Sequence, residues 1–186
     1  MPSSLHHLPR LPQRQRAPGL VLFATLGLSV GMAMADEATD VRALLARGEG
    51  AAALARVNQA TTAKPRDVQL RFLQGVVLMD LQRDDEALAH FVKMTQDYPE
   101  LPDPFNNIAL LHARGGRLEQ ARLALESALR NDPGHRASRS NLGQVHLMLA
   151  AQAWEQAAAS DPLDAALQRR LEAVRALLAA PPAPAR

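Results

Sequence analysis

Apolar residues of this chain recur at helical spacing in short stretches that are separated by polar turns. One stretch runs from Phe72 to about Leu81, and after Gln82-Arg83-Asp84 a second runs from Ala87 to Met94. A spacing of three and four residues places apolar side chains on one face of an α-helix. The pattern therefore predicts pairs of helices joined by short turns, and an all-α fold.

The helix pairs recur at one fixed interval along the chain. Three sets of equivalent positions keep it, the last of them more loosely: Pro65, Pro99 and Pro133; Ala53, Ala87 and Ala121; Val57, Phe91 and Leu125. The period, about 34 residues, lies in the range that is typical of stacked repeats, in which each unit packs on its neighbours. It predicts an array that works by presenting a surface to another molecule.

The fourth unit is shorter than the others, because Pro162 follows Pro133 about five residues sooner than the period requires. Between Gln144 and Ser160 no Gly, Pro, Asn or Asp favours a turn. We therefore expect one continuous helix over residues 136–160, about 37 Å long at about 1.5 Å per residue. A hairpin with a tight turn near Gln152 is the alternative.

A last helix is predicted from Leu163 to about Ala180, and it should cap the array. Its apolar stripe consists of Leu167, Leu171, Val174, Leu177 and Leu178.

The first 35 residues have the layout of a secretory signal peptide. Basic residues precede an apolar run from Leu20 to Ala35, which ends in the cleavage pattern Ala33-Met34-Ala35. This run is shorter than the roughly 20 residues of a membrane-spanning helix. We expect cleavage after Ala35, with an uncleaved membrane anchor as the alternative. Because the basic region lacks an adjacent arginine pair, we expect export to the periplasm by the general route.

The expected organisation is a signal peptide at residues 1–35, a helical domain at 36–180 and a disordered tail at 181–186. The whole chain carries 21 Lys and Arg against 19 Asp and Glu, but three of the basic residues and no acidic one lie in the first 35. The remainder is therefore near neutral, with a net charge of −1, and has no field to attract nucleic acid. The chain contains no cysteine, which excludes disulfides and thiolate metal sites.

The repeats resemble the tetratricopeptide repeat, a helix–turn–helix unit of about 34 residues. In the third unit the resemblance rests on large and small residues at fixed positions: Phe105, Ile108, Ala109, His112, Ala121, Leu125, Ala128 and Pro133. The second unit departs from the pattern at Arg71 and Gln74. The resemblance covers most of residues 36–162. It implies a right-handed α-solenoid of helix hairpins, with the last repeat merged into one long helix and a C-terminal capping helix. The chain is also similar to exported proteobacterial proteins of this family.

In this family the first helices of the hairpins line a concave groove. Carried over to this chain, the inward positions include the candidate peptide-binding residues Asn107, Asn141, Asn106, Gln144, Arg114, Asp103, Phe72, Val76 and Met79. An asparagine side chain offers both a donor and an acceptor, so it can clamp the backbone of an extended peptide. The alternative is that these asparagines only bridge neighbouring helices. The lysine-rich carboxylate clamp of some family members is absent from the matching positions.

Other candidate chemistry is weaker. His112 and His146 lie one repeat apart but have no third ligand, so we expect structural roles and no metal. Arg130, Arg136 and Arg139 form a basic cluster that faces solvent or an acidic partner. The chain has no Cys–His pair, Gly-x-Ser-x-Gly, phosphate-binding glycine loop or His-Glu-x-x-His motif, so we expect neither enzyme activity nor a cofactor.

The function expected from these observations is that of a periplasmic adaptor or scaffold that binds a protein segment within a cell-envelope assembly. The alternatives are a structural protein that self-associates as a homodimer, and a membrane-anchored assembly factor.

Overall fold

The computed structural model describes residues 36–179, which form eight α-helices and no strand. The helices are α1 (Glu37–Ala46), α2 (Gly50–Ala63), α3 (Val68–Asp80), α4 (Asp84–Asp97), α5 (Pro102–Arg114), α6 (Leu118–Asn131), α7 (Arg136–Ser160) and α8 (Ala165–Ala179). The predicted all-α repeat fold is confirmed. The predicted signal peptide at residues 1–35 and tail at 181–186 lie outside the described range.

Each helix packs against the next along the chain, so that α1–α2, α3–α4 and α5–α6 form three successive hairpins. The first helices of neighbouring hairpins are packed unevenly. Helix α1 packs on α3, and α5 packs on α7. The backbones of α3 and α5 approach each other less closely, but their side chains share one core, to which Leu78, Ile108 and Leu111 belong.

The turn inside each hairpin repeats the same backbone geometry. Gly48, Gln82 and Gly116, which occupy equivalent positions of the three hairpins, have positive φ values of 72°, 57° and 72°. In the second hairpin the amide of Gln82 donates to the carbonyl of Met79, and that of Arg83 donates to the carbonyl of Leu78. This pair of hydrogen bonds is the Schellman motif that ends a helix at a left-handed residue. The first and third hairpins make the equivalent bonds.

The periodic small and large residues form the core. Ala53, Ala87 and Ala121 are fully buried, and so are Val57, Phe91 and Leu125. Gly75 shows why small residues are needed, because a Cβ atom there would lie 2.5 Å from the ring of Phe91. The residues that recur at the repeat period in the sequence are thus the ones that make the buried contacts between helices.

Helix α7 is continuous over 25 residues from Arg136 to Ser160, which confirms the prediction and excludes a turn near Gln152. Helix α8 packs on the second half of α7, where Leu171 and Val174 meet Leu147, Ala151 and Trp154.

The inclusion of Leu177 in the packing stripe of α8 was wrong, since this residue is 61% exposed. Leu178 packs against the α7–α8 core, and Leu177 points about 100° away from it around the helix.

None of the helices within residues 36–179 is both long and apolar enough to cross a bilayer.

Candidate functional site

Helix α3 presents an apolar strip that packs on the core it shares with α5. The strip consists of Phe72, Val76 and Met79, which are half-buried and pack against the core formed by Phe91 and its neighbours. The ring centroids of Phe72 and Phe91 are 5.7 Å apart. Because their inner sides are anchored in the core and their outer sides are accessible, these side chains form a firm surface that could contact a bound segment.

Helix α5 adds a residue that was not among the sequence candidates. Leu110 is 36% exposed and follows Asn107 by one helical turn. It is, however, one of the inward positions that the family resemblance implies for the third unit, equivalent to Val76 one repeat earlier.

Three of the polar candidates belong to one network between α5 and α7. The side-chain amide of Asn141 donates to Oδ1 of Asn106 at 2.9 Å. The hydroxyl of Ser138 lies 3.3 Å from the same oxygen and 2.7 Å from Nδ1 of His135. Nε2 of His135 is in turn 3.3 Å from a carboxylate oxygen of Asp103. This network fastens the start of α7 to the start of α5.

The network changes how the asparagines could contact a ligand. Asn106 is only 8% exposed, so its principal contact is with Asn141. The amide nitrogen of Asn141 donates one of its two hydrogens to Asn106, which leaves its second N–H and its carbonyl oxygen for a ligand. Asn107 is half-buried and lies outside this network, so both its donor and its acceptor can face a peptide.

Asp103, His135 and Ser138 line up in the order of a nucleophilic triad, but the arrangement is not an active site. A nucleophile must reach its substrate, and Ser138 is fully buried. Its backbone amide and hydroxyl both face His135, which caps the N-terminus of α7. The arrangement is therefore a helix cap.

A polar cleft lies between the C-terminal ends of α3 and α5. It has a volume of about 640 Å³ and is lined by Met79, Asp80, Gln82, Asp84 and Arg114. The guanidinium group of Arg114 binds a carboxylate oxygen of Asp84 at 2.7 Å. Of these lining residues, Met79 and Arg114 were candidate peptide-binding residues, and the family resemblance also placed Asp80 at an inward position of the second unit.

Toward the other end of the array, α8 lies against part of the expected groove. Leu147 packs against α8, and Met148 lines a cleft with Leu178. Both residues are inward positions of the fourth unit. Gln144, one turn earlier, is exposed. The accessible part of the groove therefore runs from α3 to the first half of α7.

The two repeat-spaced histidines have different environments. Burial, with a smaller effect from the charge of Arg117, lowers the pKa of His112. The ring accepts a hydrogen bond at Nδ1 from Nε of Arg117 at 3.0 Å, whereas His146 is exposed. Residues 36–179 contain no group of three or more His, Cys, Asp or Glu side chains that could hold a metal ion.

Comparison with known proteins points to one family. A family model for the tetratricopeptide repeat matches residues 40–102 and 106–158. No curated protein matches the sequence significantly.

Several solved structures are similar. The structure of YrrB, a TPR protein with an unusual peptide-binding site, has a TM-score of 0.52 and 25% identity over 56% of this chain and 54% of that chain. The chain thus matches about half the length of YrrB.

The first TPR domain of human RPAP3 has a TM-score of 0.57 and 14% identity, over 63% of this chain and 92% of that chain. The first TPR of Spaghetti (RPAP3), bound to the HSP90 peptide SRMEEVD, has a TM-score of 0.55 and 14% identity over 61% and 90% of the two chains.

Proposed function

Because the chain belongs to the tetratricopeptide repeat family, we propose that it is an adaptor that binds a protein segment across the first helices α3, α5 and α7. The observation that carries the proposal is the apolar strip of α3, which is half-buried and anchored in the core that α3 shares with α5. A groove of this kind holds an extended peptide by apolar contacts and by hydrogen bonds to its backbone. YrrB and RPAP3, which share the fold, are peptide-binding proteins by their descriptions.

Asn107 and Asn141 have different parts in this proposal. Asn107 offers a donor and an acceptor to the peptide backbone. Asn141 offers its carbonyl oxygen and one N–H, because its other N–H is bonded to Asn106. Val76, Met79 and Leu110 supply the apolar contacts.

We further propose that the adaptor works in the periplasm, within a cell-envelope assembly. This location rests on the signal-peptide pattern of residues 1–35, and the mass of the protein isolated from cells tests it. Cleavage after Ala35 is expected. A protein that keeps these residues would contradict the cleavage and favour an anchored form.

The groove is tested by photo-crosslinking with a matched control. A photoreactive residue in place of Leu110, which is 36% exposed between the first helices, should crosslink a protein partner in cells. The same residue in place of Leu123, which is 53% exposed on α6, should not, because α6 is a second helix. Equal crosslinking from both positions, or from Leu123 alone, would move the binding surface away from the groove.

The polar contacts are tested on the partner identified in this way. The double variant Asn107→Ala and Asn141→Ala should weaken binding by about 1–3 kcal/mol, because polar groups of the bound backbone lose their partners. Since Asn141→Ala also removes a bond between α5 and α7, the single variant Asn107→Ala is the cleaner measurement. Unchanged affinity in both variants, with intact helicity, would refute the roles of the asparagines.

A further inference from the structure

We propose that the cleft between the C-terminal ends of α3 and α5 is a subsite for a lysine or arginine side chain of the bound segment. The inference rests on the proposed function and specifies the chemistry of the partner. The expected ligand is an extended segment that carries a basic residue close to apolar ones.

The charge of the cleft favours a cation. Asp80 is exposed, and within residues 36–179 its carboxylate has no cationic partner, whereas Asp84 is paired with Arg114. The lining therefore carries two carboxylates and one guanidinium group, a net charge of −1. An ammonium or guanidinium group of the ligand would bind the unpaired carboxylate of Asp80 through a charge-assisted hydrogen bond. An acidic segment would instead meet a like charge.

The shape of the surface places an apolar residue next to this cation. Met79 belongs both to the apolar strip and to the cleft lining, so the methylene stem of a basic side chain can lie along it. Phe72 and Asp80 are about 12 Å apart along the axis of α3, at about 1.5 Å per residue. An extended peptide covers that length in about four residues. The apolar and basic residues of the ligand should therefore lie within about four positions of each other.

The backbone at the mouth of the cleft is consistent with a polar role. Gln82 adopts a left-handed conformation, with φ of 57°, where the flanking hairpins have Gly48 and Gly116. Gln82 lines the cleft, and its exposed side chain carries an amide that a glycine lacks. The amide can donate to, or accept from, the backbone of a segment that enters there.

The experiment uses four peptides, Ac-SLALXSA-amide with X as Lys, Arg, Gln or Glu, and the 15N-labelled full chain. Affinities come from calorimetry, and backbone amide shifts locate the site. We expect the Lys and Arg peptides to bind at least fivefold more tightly than the Gln peptide, and the Glu peptide to bind most weakly. The backbone amide shifts of residues 79–84 and Arg114 should differ between the complexes with the Lys and Gln peptides. The difference in affinity between these two peptides should become smaller in high salt.

Three variants sharpen the result. Asp80→Asn should abolish the preference for Lys over Gln, whereas Asp85→Asn, which changes an exposed carboxylate outside the cleft lining, should leave it unchanged. Arg114→Gln should increase the preference, because it frees Asp84 to bind the ligand cation. Circular dichroism checks that each variant is folded.

Two outcomes would overturn the subsite in different ways. Equal binding of the Lys and Gln peptides, with shifts along Val76 and Asn107, would refute the basic subsite and leave the groove in place. Binding of none of the four peptides would refute the subsite as proposed here, and the crosslinking from Leu110 would then decide the groove separately.

Discussion

Replacing Gln82 by glycine should stabilise the protein, although the change removes a whole side chain. Gln82 is the left-handed residue of the Schellman motif that ends α3. The two flanking hairpins have glycine at the equivalent position, and both glycines adopt φ of 72°. The side chain of Gln82 is exposed, so its loss removes little packing.

The magnitude follows from two opposing effects on the backbone. A residue with a Cβ atom is destabilised by about 1–2 kcal/mol in the left-handed region, and glycine is not. Glycine, however, gives the unfolded chain more conformational freedom, which offsets about 0.4–1 kcal/mol of that gain. The net change in the free energy of unfolding is an increase of about 0.5–1 kcal/mol. For a domain of this size the melting temperature should rise by about 1–4 °C.

Thermal and urea unfolding followed by circular dichroism measure the effect, and two alanine variants test its cause. A Cβ atom at Gly116 or at Gly143 would have no atom of a surrounding residue within 4 Å. The two alanine variants therefore differ in their backbone conformation and not in clashes with their surroundings. Gly116→Ala should destabilise by about 1 kcal/mol because of its positive φ. Gly143→Ala should stabilise by about 0.5–1 kcal/mol, because Gly143 lies inside helix α7. A lower midpoint for Gln82→Gly, or the same sign for both alanine variants, would refute the reasoning.

Three further predictions concern the core, α7 and pH. Gly75→Ala should destabilise by about 1–3 kcal/mol, since its Cβ atom would overlap the ring of Phe91 at 2.5 Å; a neutral effect on the urea midpoint would contradict this packing. Gln152→Pro should destabilise by about 3 kcal/mol or more, because it interrupts a continuous helix; tolerance of proline in a thermal melt would point to a turn instead. Burial lowers the pKa of His90 below its ordinary value. As the pH falls, His90 is therefore protonated in the unfolded chain before it is protonated in the folded one, and the free energy of unfolding should decrease below about pH 6.5. Replacing His90 by Gln should reduce this slope below about pH 6.5, and an unchanged slope of the urea midpoint against pH would argue against it.

The repeat architecture was readable from the sequence because local and periodic signals determine it. Alanines at one fixed interval became the fully buried contacts between helices. The missing turn of the fourth unit was equally local: no residue between Gln144 and Ser160 favours a break, and α7 runs unbroken to Ser160. Leu177 shows the limit of this reasoning, because an apolar residue at the edge of a stripe can face either way.

The candidate site was less predictable, because its geometry depends on where separate helices meet. Nothing in the sequence near Asn106 indicates that its oxygen lies within hydrogen-bonding distance of both Ser138 and Asn141, which belong to the next repeat. The ion pair between Arg114 and Asp84 likewise joins residues 30 positions apart. The conformation of Gln82 was signalled only by its repeat equivalence to Gly48 and Gly116, since glutamine itself does not favour a left-handed conformation.

The uneven packing of the first helices suggests where a ligand would act on the array. The α5–α7 junction is fastened by a buried polar network through Asn106 and Ser138. Apolar side chains join α3 to α5, among them Leu78 and Leu111. A segment that binds Met79 on one side and Leu110 on the other would bridge this apolar junction. Because a ligand stabilises the state that it binds, such a segment would hold α3 and α5 together more firmly. Its binding would thus stiffen the junction between the second and third hairpins.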